Sequence, residues 1–379
     1  MGVLQSVYDE AISIRCLHLL MNKDIIVAKL DITSNHTNKE YNQKLPYGYE
    51  DIISWLKKRR KFLCTRDAKE FFKSIGIVTD EDFIEVTHCI SLSDSFWIKR
   101  IDSELKWKDV SPWCNDYSRI ISSYALDGII IDSDKNYFSP VIGTSGSFPH
   151  TWKYNNGSIT FVKAGSKYTL GGINSGREPF SEYYASVIAR SLGLDCVTYS
   201  IRNHTRADGR LDVVTECPIY TSESIGSISA CDLGLNSYED IINFAKCKIP
   251  NCYLKVINML FLDCLLLNTD RHYGNIEFLI DNSTLEIIDI APIFDNNYSL
   301  LPRFIEEMEE FNREDYRARD GRRFEDLYKM ISKYKDFKPL LLRAKEITLK
   351  HPKSVSLSDS RLKFLNNLLQ KQIDYLLRL

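Results

Sequence analysis

The chain has 379 residues, 44% hydrophobic and 26% charged, with a formal net charge of −2 at pH 7. That composition is globular and long enough for two or three lobes with sizeable cores. The near-neutral charge excludes a global positive field that would recruit nucleic acid or anionic lipid. Ten cysteines without a C-x-x-C pair or an even ladder point to reduced thiols rather than a zinc site or a disulfide framework.

Asp9, Glu10 and Arg15 stand where a signal peptide needs an apolar core. The longest apolar run, residues 254–267, is 14 residues and is broken by Lys255, Asn258 and Asp263. It is too short and too polar to span a bilayer and reads as a buried core helix. The expected location is the cytoplasm.

Residues 1–130 form a first α+β region of unclear role. Residues 25–30 predict a strand, and residues 49–62 an amphipathic helix with Ile52, Ile53, Trp55 and Leu56 on its apolar side. That helix ends in Lys57-Lys58-Arg59-Arg60-Lys61, which suits a solvated C-terminus better than a nucleic-acid patch. Residues 96–99 predict another strand, and residues 107–117 an aromatic-rich packing segment.

Residues 131–221 form a strand-rich second region. Two strand patterns, 151–154 and 159–163, flank Asn155-Asn156-Gly157, a hairpin signal. Pro179 opens a helix over 180–192, with Gly193 as its stop. Residues 212–216 read as one more strand. From 222 to 379 the pattern turns helical, interrupted by two short strands at 276–280 and 285–290, and ends in Leu362, Leu365, Leu369, Ile373 and Leu376 at helical spacing.

Asp270 and Asn275 stand five residues apart in Asn268-Thr269-Asp270-Arg271-His272-Tyr273-Gly274-Asn275, directly after the apolar run, and Asp295 follows in Ala291-Pro292-Ile293-Phe294-Asp295. Phosphoryl transfer needs this set: one carboxylate to orient the attacking hydroxyl, and an Asn and a second Asp to hold Mg²⁺ on the nucleotide phosphates. The D-x-x-x-x-N spacing is that of the protein-kinase catalytic loop. Upstream, Gly143-Thr144-Ser145-Gly146-Ser147 offers small residues whose backbone N–H groups can approach phosphates. It is not a Walker A sequence. Lys163 closes a strand, and Glu182 on the next helix, preferred over Glu178, is its expected partner. His272 is expected to brace the loop beside the nucleotide, as a core histidine rather than a metal ligand.

Each residue alone has a plainer reading: a turn, an exposed Lys, an N-cap Asp. Their order removes that ambiguity. Glycine loop, hairpin Lys, helix Glu, buried helix, D-x-x-x-x-N, strand pair and Asp are the linear parts of a two-lobed kinase. ATP is expected in the cleft between the lobes, with residues 215–220 as the connector beside the adenine.

The two catalytic segments resemble those of HipA-like serine/threonine kinases, which carry a T-D-x-H-x-x-N loop followed by a P-x-[FY]-D motif. The resemblance covers roughly residues 130–300. It implies an α+β, two-lobed protein-kinase-like fold with a strand-rich N-terminal lobe and a helical C-terminal lobe, and ATP- and Mg²⁺-dependent transfer to a Ser or Thr of a protein. By the same likeness Asp270 is the catalytic base, Asn275 and Asp295 are the Mg²⁺ ligands, and Lys163 is the ATP-phosphate lysine. The phosphate loop of such kinases holds a serine whose autophosphorylation ejects the loop; here Ser145 and Ser147 are both candidates. A small DNA-binding antitoxin is the implied partner, with the chain as toxin.

The D-R-H-x-x-N form also resembles phosphoinositide-kinase loops, which makes a lipid kinase the rival. Residues 303–323 mix Glu306, Glu307, Glu309 and Glu310 with Arg313, Arg317 and Arg319, a poor match to anionic lipid. A catalytically silent binding or regulatory protein on the same fold is the other alternative, against which the full Lys163, Asp270, Asn275 and Asp295 set argues.

Overall fold

The computed structural model describes residues 17–31, 43–59, 66–74, 76–128, 138–144, 148–166, 176–206, 208–250, 252–305 and 310–379. Ser145, Gly146 and Ser147 of the glycine loop lie outside them.

Three antiparallel sheets are interleaved with helices. In the first region β1 (Leu17–Asn22), β2 (Ile25–Asp31) and β3 (Phe96–Arg100) pair in the order β2-β1-β3. Helices α1 (Ile52–Arg59), α2 (Arg66–Ser74), α3 (Asp80–Thr87), α4 (Trp107–Val110) and α5 (Arg119–Asp127) accompany this sheet. Its core gathers Leu20, Val27, Trp55, Phe72, Phe83 and Phe96. The basic end of α1 is spent internally: Lys58 pairs with Asp232, and Arg59 pairs with Asp94 and lies 4.9 Å from the Trp55 ring centre.

This region packs against the segments after residue 220. Thr221 Oγ1 donates to Leu92 O at 2.7 Å, and Trp107 Nε1 donates to Glu223 Oε1 at 2.5 Å. Ser227 N donates to Ser93 O at 2.8 Å, an approach so close that a Cβ on Gly226 would stand 2.4 Å from Ser93 O. A side chain there would part the two segments.

The second sheet holds β4 (His150–Asn155), β5 (Ser158–Ala164), β6 (Ser200–Thr205) and β7 (Leu211–Pro218), in the order β4-β5-β7-β6. The β4–β5 turn is Asn156-Gly157, with φ of 48° and 82°. Both residues are left-handed, as a two-residue hairpin with the native strand twist requires. Helix α6 (Glu178–Ser191) carries Pro179 in its first turn and lays Tyr184, Ala185, Ile188 and Ala189 into the core beneath this sheet.

Beyond residue 222 the reading of a helical region needs correction, because β8 (Ile225–Ser229) comes first. It completes a third sheet, β10-β9-β8, with β9 (Glu277–Asp281) and β10 (Glu286–Ile290). Gly226, Ser227 and Ser229 dilute its strand signal. The helices are α7 (Tyr238–Lys248), α8 (Tyr253–Leu266), α9 (Phe324–Ile331), α10 (Lys338–Ala344) and α11 (Asp359–Leu376).

The run at 254–267 is the buried α8, which packs against α7, α9, α11 and β10. Met259 to Leu262, a full turn, are all fully buried, so this part of the helix has no solvent face. Phe261 stacks on Phe337 with ring centres 4.5 Å apart. Helix α11 is anchored by buried Arg361, which donates to Leu300 O (2.9 Å), Leu301 O (2.8 Å) and Phe304 O (3.3 Å). No helix among the described residues is long and apolar enough to cross a membrane.

Removing the Phe261 ring tests this centre. Phe261→Ala leaves Phe337 facing a void and is expected to cost about 3–5 kcal/mol, read as a lower urea midpoint at unchanged slope.

Candidate functional site

Lys163 lies near the end of β5, paired in register with His150 on β4 and Thr215 on β7. A lysine this central is expelled by apolar packing unless its charge is met. Two carboxylates meet it: Nζ is 2.9 Å from Glu182 Oε1 and 2.5 Å from Asp295 Oδ1. Burial opposes the ammonium, but the two anions outweigh it and raise the Lys163 pKa. Glu182 is fully buried on α6, and burial raises its pKa against the pull of Lys163. For Asp295 burial pushes upward, yet the adjacent Lys163 wins and holds the carboxyl below its ordinary value. Glu178 faces elsewhere, its Oε2 accepting from Ser166 N at 3.1 Å.

The loop that bears Asp270 starts where α8 stops. Leu267 takes a left-handed conformation, φ 53°, and the N–H groups of Leu267 and Asn268 both return to Asp263 O. Asn268 then donates from Nδ2 to Asp263 Oδ1 (2.9 Å) and accepts the Asp270 N–H on Oδ1 (3.1 Å). The His272 N–H donates to Asp270 O, and the Asn275 N–H to His272 O. His272 braces the loop by accepting the Gly274 N–H on Nδ1 at 3.1 Å, but it is exposed, so the expectation of a core histidine is corrected. A ring tied to its own turn two residues on has no need of the core.

Arg271, absent from the sequence-level set, organises the site. It is 1% exposed, and every donor of its guanidinium is used. Nε and Nη2 reach the Asp263 carboxylate at 3.0 and 3.1 Å, Nη1 reaches Asn275 O at 3.2 Å and Phe294 O at 2.5 Å, and Nη2 reaches Asn296 Oδ1 at 2.6 Å. One planar group thereby joins α8, the Asp270 loop and the Asp295 segment, with the Asn275 and Phe294 carbonyls sharing its Nη1. The signal in the sequence was Asp263, a carboxylate inside an apolar helix that demands a cation.

The Asp295 segment is fixed independently. Cys196 and Ile293 form a parallel bridge, the Asp295 N–H donates to Tyr199 Oη at 3.3 Å, and the Asn296 N–H donates to Glu182 Oε2 at 3.0 Å. Asp295 itself sits at φ 52°, a left-handed position that Asp tolerates better than most residues.

Asp270 is half-buried, and burial raises its pKa, with His272 and Arg319 pulling it back. Its Oδ1 is 3.1 Å from Arg319 Nη1. Asn275 keeps its carboxamide nitrogen buried and without a partner. An Asn carboxamide and an Asp carboxylate are hard-oxygen donors, of a kind that would suit Mg²⁺ rather than a soft metal. In the glycine-loop region Pro140–Gly143 forms a 3₁₀ turn, and Thr144 Oγ1 accepts from Trp152 Nε1 at 2.8 Å, which ties the loop's start to β4. Of the expected connector at 215–220, residues 215–218 are still the end of β7 paired with β5, and the chain leaves the sheet after Ile219, with the Tyr220 ring 5.4 Å from Phe294 and its hydroxyl 2.8 Å from Glu277 Oε2.

No family model and no curated protein matches the chain. Solved structures do. HipA of Shewanella oneidensis MR-1, from a toxin–antitoxin complex with HipB and operator DNA, aligns with a TM-score of 0.51 at 11% identity, over 94% of this chain and 97% of its own. The Helicobacter pylori proinflammatory kinase CtkA aligns with a TM-score of 0.43 at 19% identity, over 62% of this chain and 91% of its own. The protein has the HipA-like kinase fold: mixed α+β and two-lobed, built of antiparallel sheets and helices.

The Asp263–Arg271 pair generates a stability prediction. Either Asp263→Ala or Arg271→Ala strands a buried charge and is expected to cost about 3–5 kcal/mol. In urea titrations the double variant should lose less than the sum of the two single losses.

Proposed function

We propose that the protein is an ATP- and Mg²⁺-dependent serine/threonine protein kinase. The observation that carries this reading is the meeting of Lys163, Glu182 and Asp295 in one ion-paired cluster, tied through Arg271 to the loop of Asp270 and Asn275. These groups come from β5, α6, the loop after α8 and the segment after β10, and a purely structural role does not require their convergence.

Lys163, held by Glu182, places a cation where the α- and β-phosphates of ATP lie in the cleft. Asn275 and Asp295 would hold Mg²⁺, which when bound neutralises phosphate charge. Asp270 orients the acceptor hydroxyl and takes its proton; burial, by raising its pKa, makes it a better base than a solvated Asp. Residues 215–220 would lie beside the adenine. His272 shapes the loop that carries Asp270 and Asn275, and Gly143 to Ser147 would close over the phosphates, with Ser145 or Ser147 as the self-phosphorylation site.

The acceptor is read as a protein Ser or Thr rather than a lipid, because acidic residues interrupt the basic ones over 303–323. The HipA neighbour was solved with HipB and operator DNA. On that likeness a small DNA-binding partner, a toxin role and a cytoplasmic location belong to the same proposal.

Asp270→Ala is expected to lower phosphotransfer from labelled ATP by about 10²–10⁴-fold, and Asp295→Ala to lower it at least as far, each with a native far-UV spectrum. Wild-type turnover in a folded Asp295→Ala protein would refute the mechanism. A second test is the pH profile. The base acts deprotonated, so kcat/KM should fall as pH drops through the Asp270 pKa, at a midpoint above the ordinary carboxylate range because burial raises it. A profile flat down to the ordinary Asp range would remove Asp270 from that role.

A further inference from the structure

Arg319 reaches the site from a part of the chain that none of the motifs covers. The backbone beneath it is a fixed turn. The Ala318 N–H donates to Arg322 O at 2.9 Å, the Gly321 N–H donates to Ala318 O at 2.9 Å, and Arg317 bridges Arg323 across the turn. Gly321 sits at φ 87°, where a side chain would be strained. The turn is pinned to α7, because the Arg322 guanidinium grips Glu239 with two hydrogen bonds of 2.7 Å while its Nε meets Asp320 at 2.9 Å. Ala318 is buried beneath it.

On this anchored base the Arg319 side chain is 59% exposed, and its Nη1 rests 3.1 Å from Asp270 Oδ1. Two other cations of the site, among the described residues, are committed elsewhere. Arg271 spends all its donors inward, and Lys163 is divided between Glu182 and Asp295.

Transfer of a phosphoryl group spreads negative charge over its three equatorial oxygens, and a single lysine does not cover them. Arginine suits that task, since its planar fork matches phosphate with two parallel hydrogen bonds. Its present ion pair is no obstacle: exposed pairs are weak and exchange readily for a better anion.

We propose that Arg319 is a further catalytic residue of the phosphotransfer. Paired with Asp270 at 3.1 Å, it moves to the γ-phosphoryl group when ATP and acceptor fill the site. The proposal depends on the kinase reading above. In the step, the acceptor hydroxyl oxygen bonds to the γ-phosphorus while the bond from that phosphorus to the β,γ-bridging oxygen breaks. The hydroxyl proton passes to Asp270, whose Oδ1 Arg319 has vacated, and ADP leaves with the bridging oxygen. Arg319 donates to the equatorial oxygens throughout. Its departure uncovers the base only when the phosphoryl group is present to receive it.

The test compares wild type, Arg319→Ala and Arg319→Lys, with the full chain. Single-turnover transfer from labelled ATP to casein and to the protein itself gives the rate. Calorimetry gives the affinity for Mg·ADP, and for Mg·ADP with aluminium fluoride as a mimic of the transferring group. Arg319→Ala is expected to lower the rate by about 10²–10³-fold, with Mg·ADP affinity unchanged and affinity for the aluminium fluoride complex reduced by a similar factor. Arg319→Lys, which keeps the charge and loses the fork, should fall between the two. A faster Arg319→Ala protein would mean that the arginine only blocks the base, and an unchanged one that it is idle; either result overturns the proposal. If wild type labels both acceptors while Arg319→Ala matches it, the kinase reading stands and this inference alone fails. If wild type neither binds Mg·ADP nor transfers phosphate, both fall.

Discussion

The site depends on one buried ion pair, Asp263 with Arg271. Both are essentially inaccessible to water, 1% exposed each. Taking two such charges out of solvent costs several kcal/mol per ion, and attraction alone does not return that unless the remaining donors are satisfied. They are: two carbonyls and one side-chain amide, from three different positions, complete the guanidinium. The chain thus uses the obligation of a buried arginine to fix the spacing of its two functional loops. Apolar contacts of equal strength would leave those loops free to slide, since they carry no direction.

A second cluster adjoins it. Lys163 is the point at which the strand lobe meets the helical lobe, for its partners come from α6 and from the segment after β10. The two clusters share the 294–296 backbone: Arg271 holds the Phe294 carbonyl and the Asn296 amide oxygen, and Glu182 holds the Asn296 N–H. Asp295 lies between them in a left-handed conformation that neighbours on both sides enforce. Displacing either cluster would release it.

Much of this was legible in the sequence, and the reason is chemical. The Asp270 loop, Asn275, Asp295, Lys163 and Glu182 stand out because few residue types can do the work their spacing implies. The hairpin around Asn156-Gly157 and the buried α8 were equally open, because turn chemistry and unbroken apolarity are local. Three kinds of feature were hidden. Strand β6, with Arg202, Asn203 and His204, looks polar because it edges the sheet, and β8 is diluted by glycine and serine where it approaches Ser93. Helices α2 and α3, 9 and 8 residues long, are too short to impose a clear period. Arg271 escaped because its meaning lies in four partner residues up to 25 residues away, more than a local pattern contains. The bracing histidine was recognised in its task and misplaced in its setting, since a loop residue can serve its own turn from the solvent side.

Arg361 carries a consequence for how the protein comes into being. The carbonyls of Leu300, Leu301 and Phe304, just past Asp295, accept from a guanidinium about 60 residues later in the chain. During synthesis those residues emerge first and wait for their donor, on the order of several seconds at ribosomal speed. Leu300 and Leu301, both held at positive φ, have little reason to keep that shape in the interval. The nascent chain therefore passes through a stage in which Asp295 already has its partners from earlier in the chain, while the turn at Leu300 to Phe304 just after it still lacks its donor. That turn takes its final shape only once Arg361 has emerged.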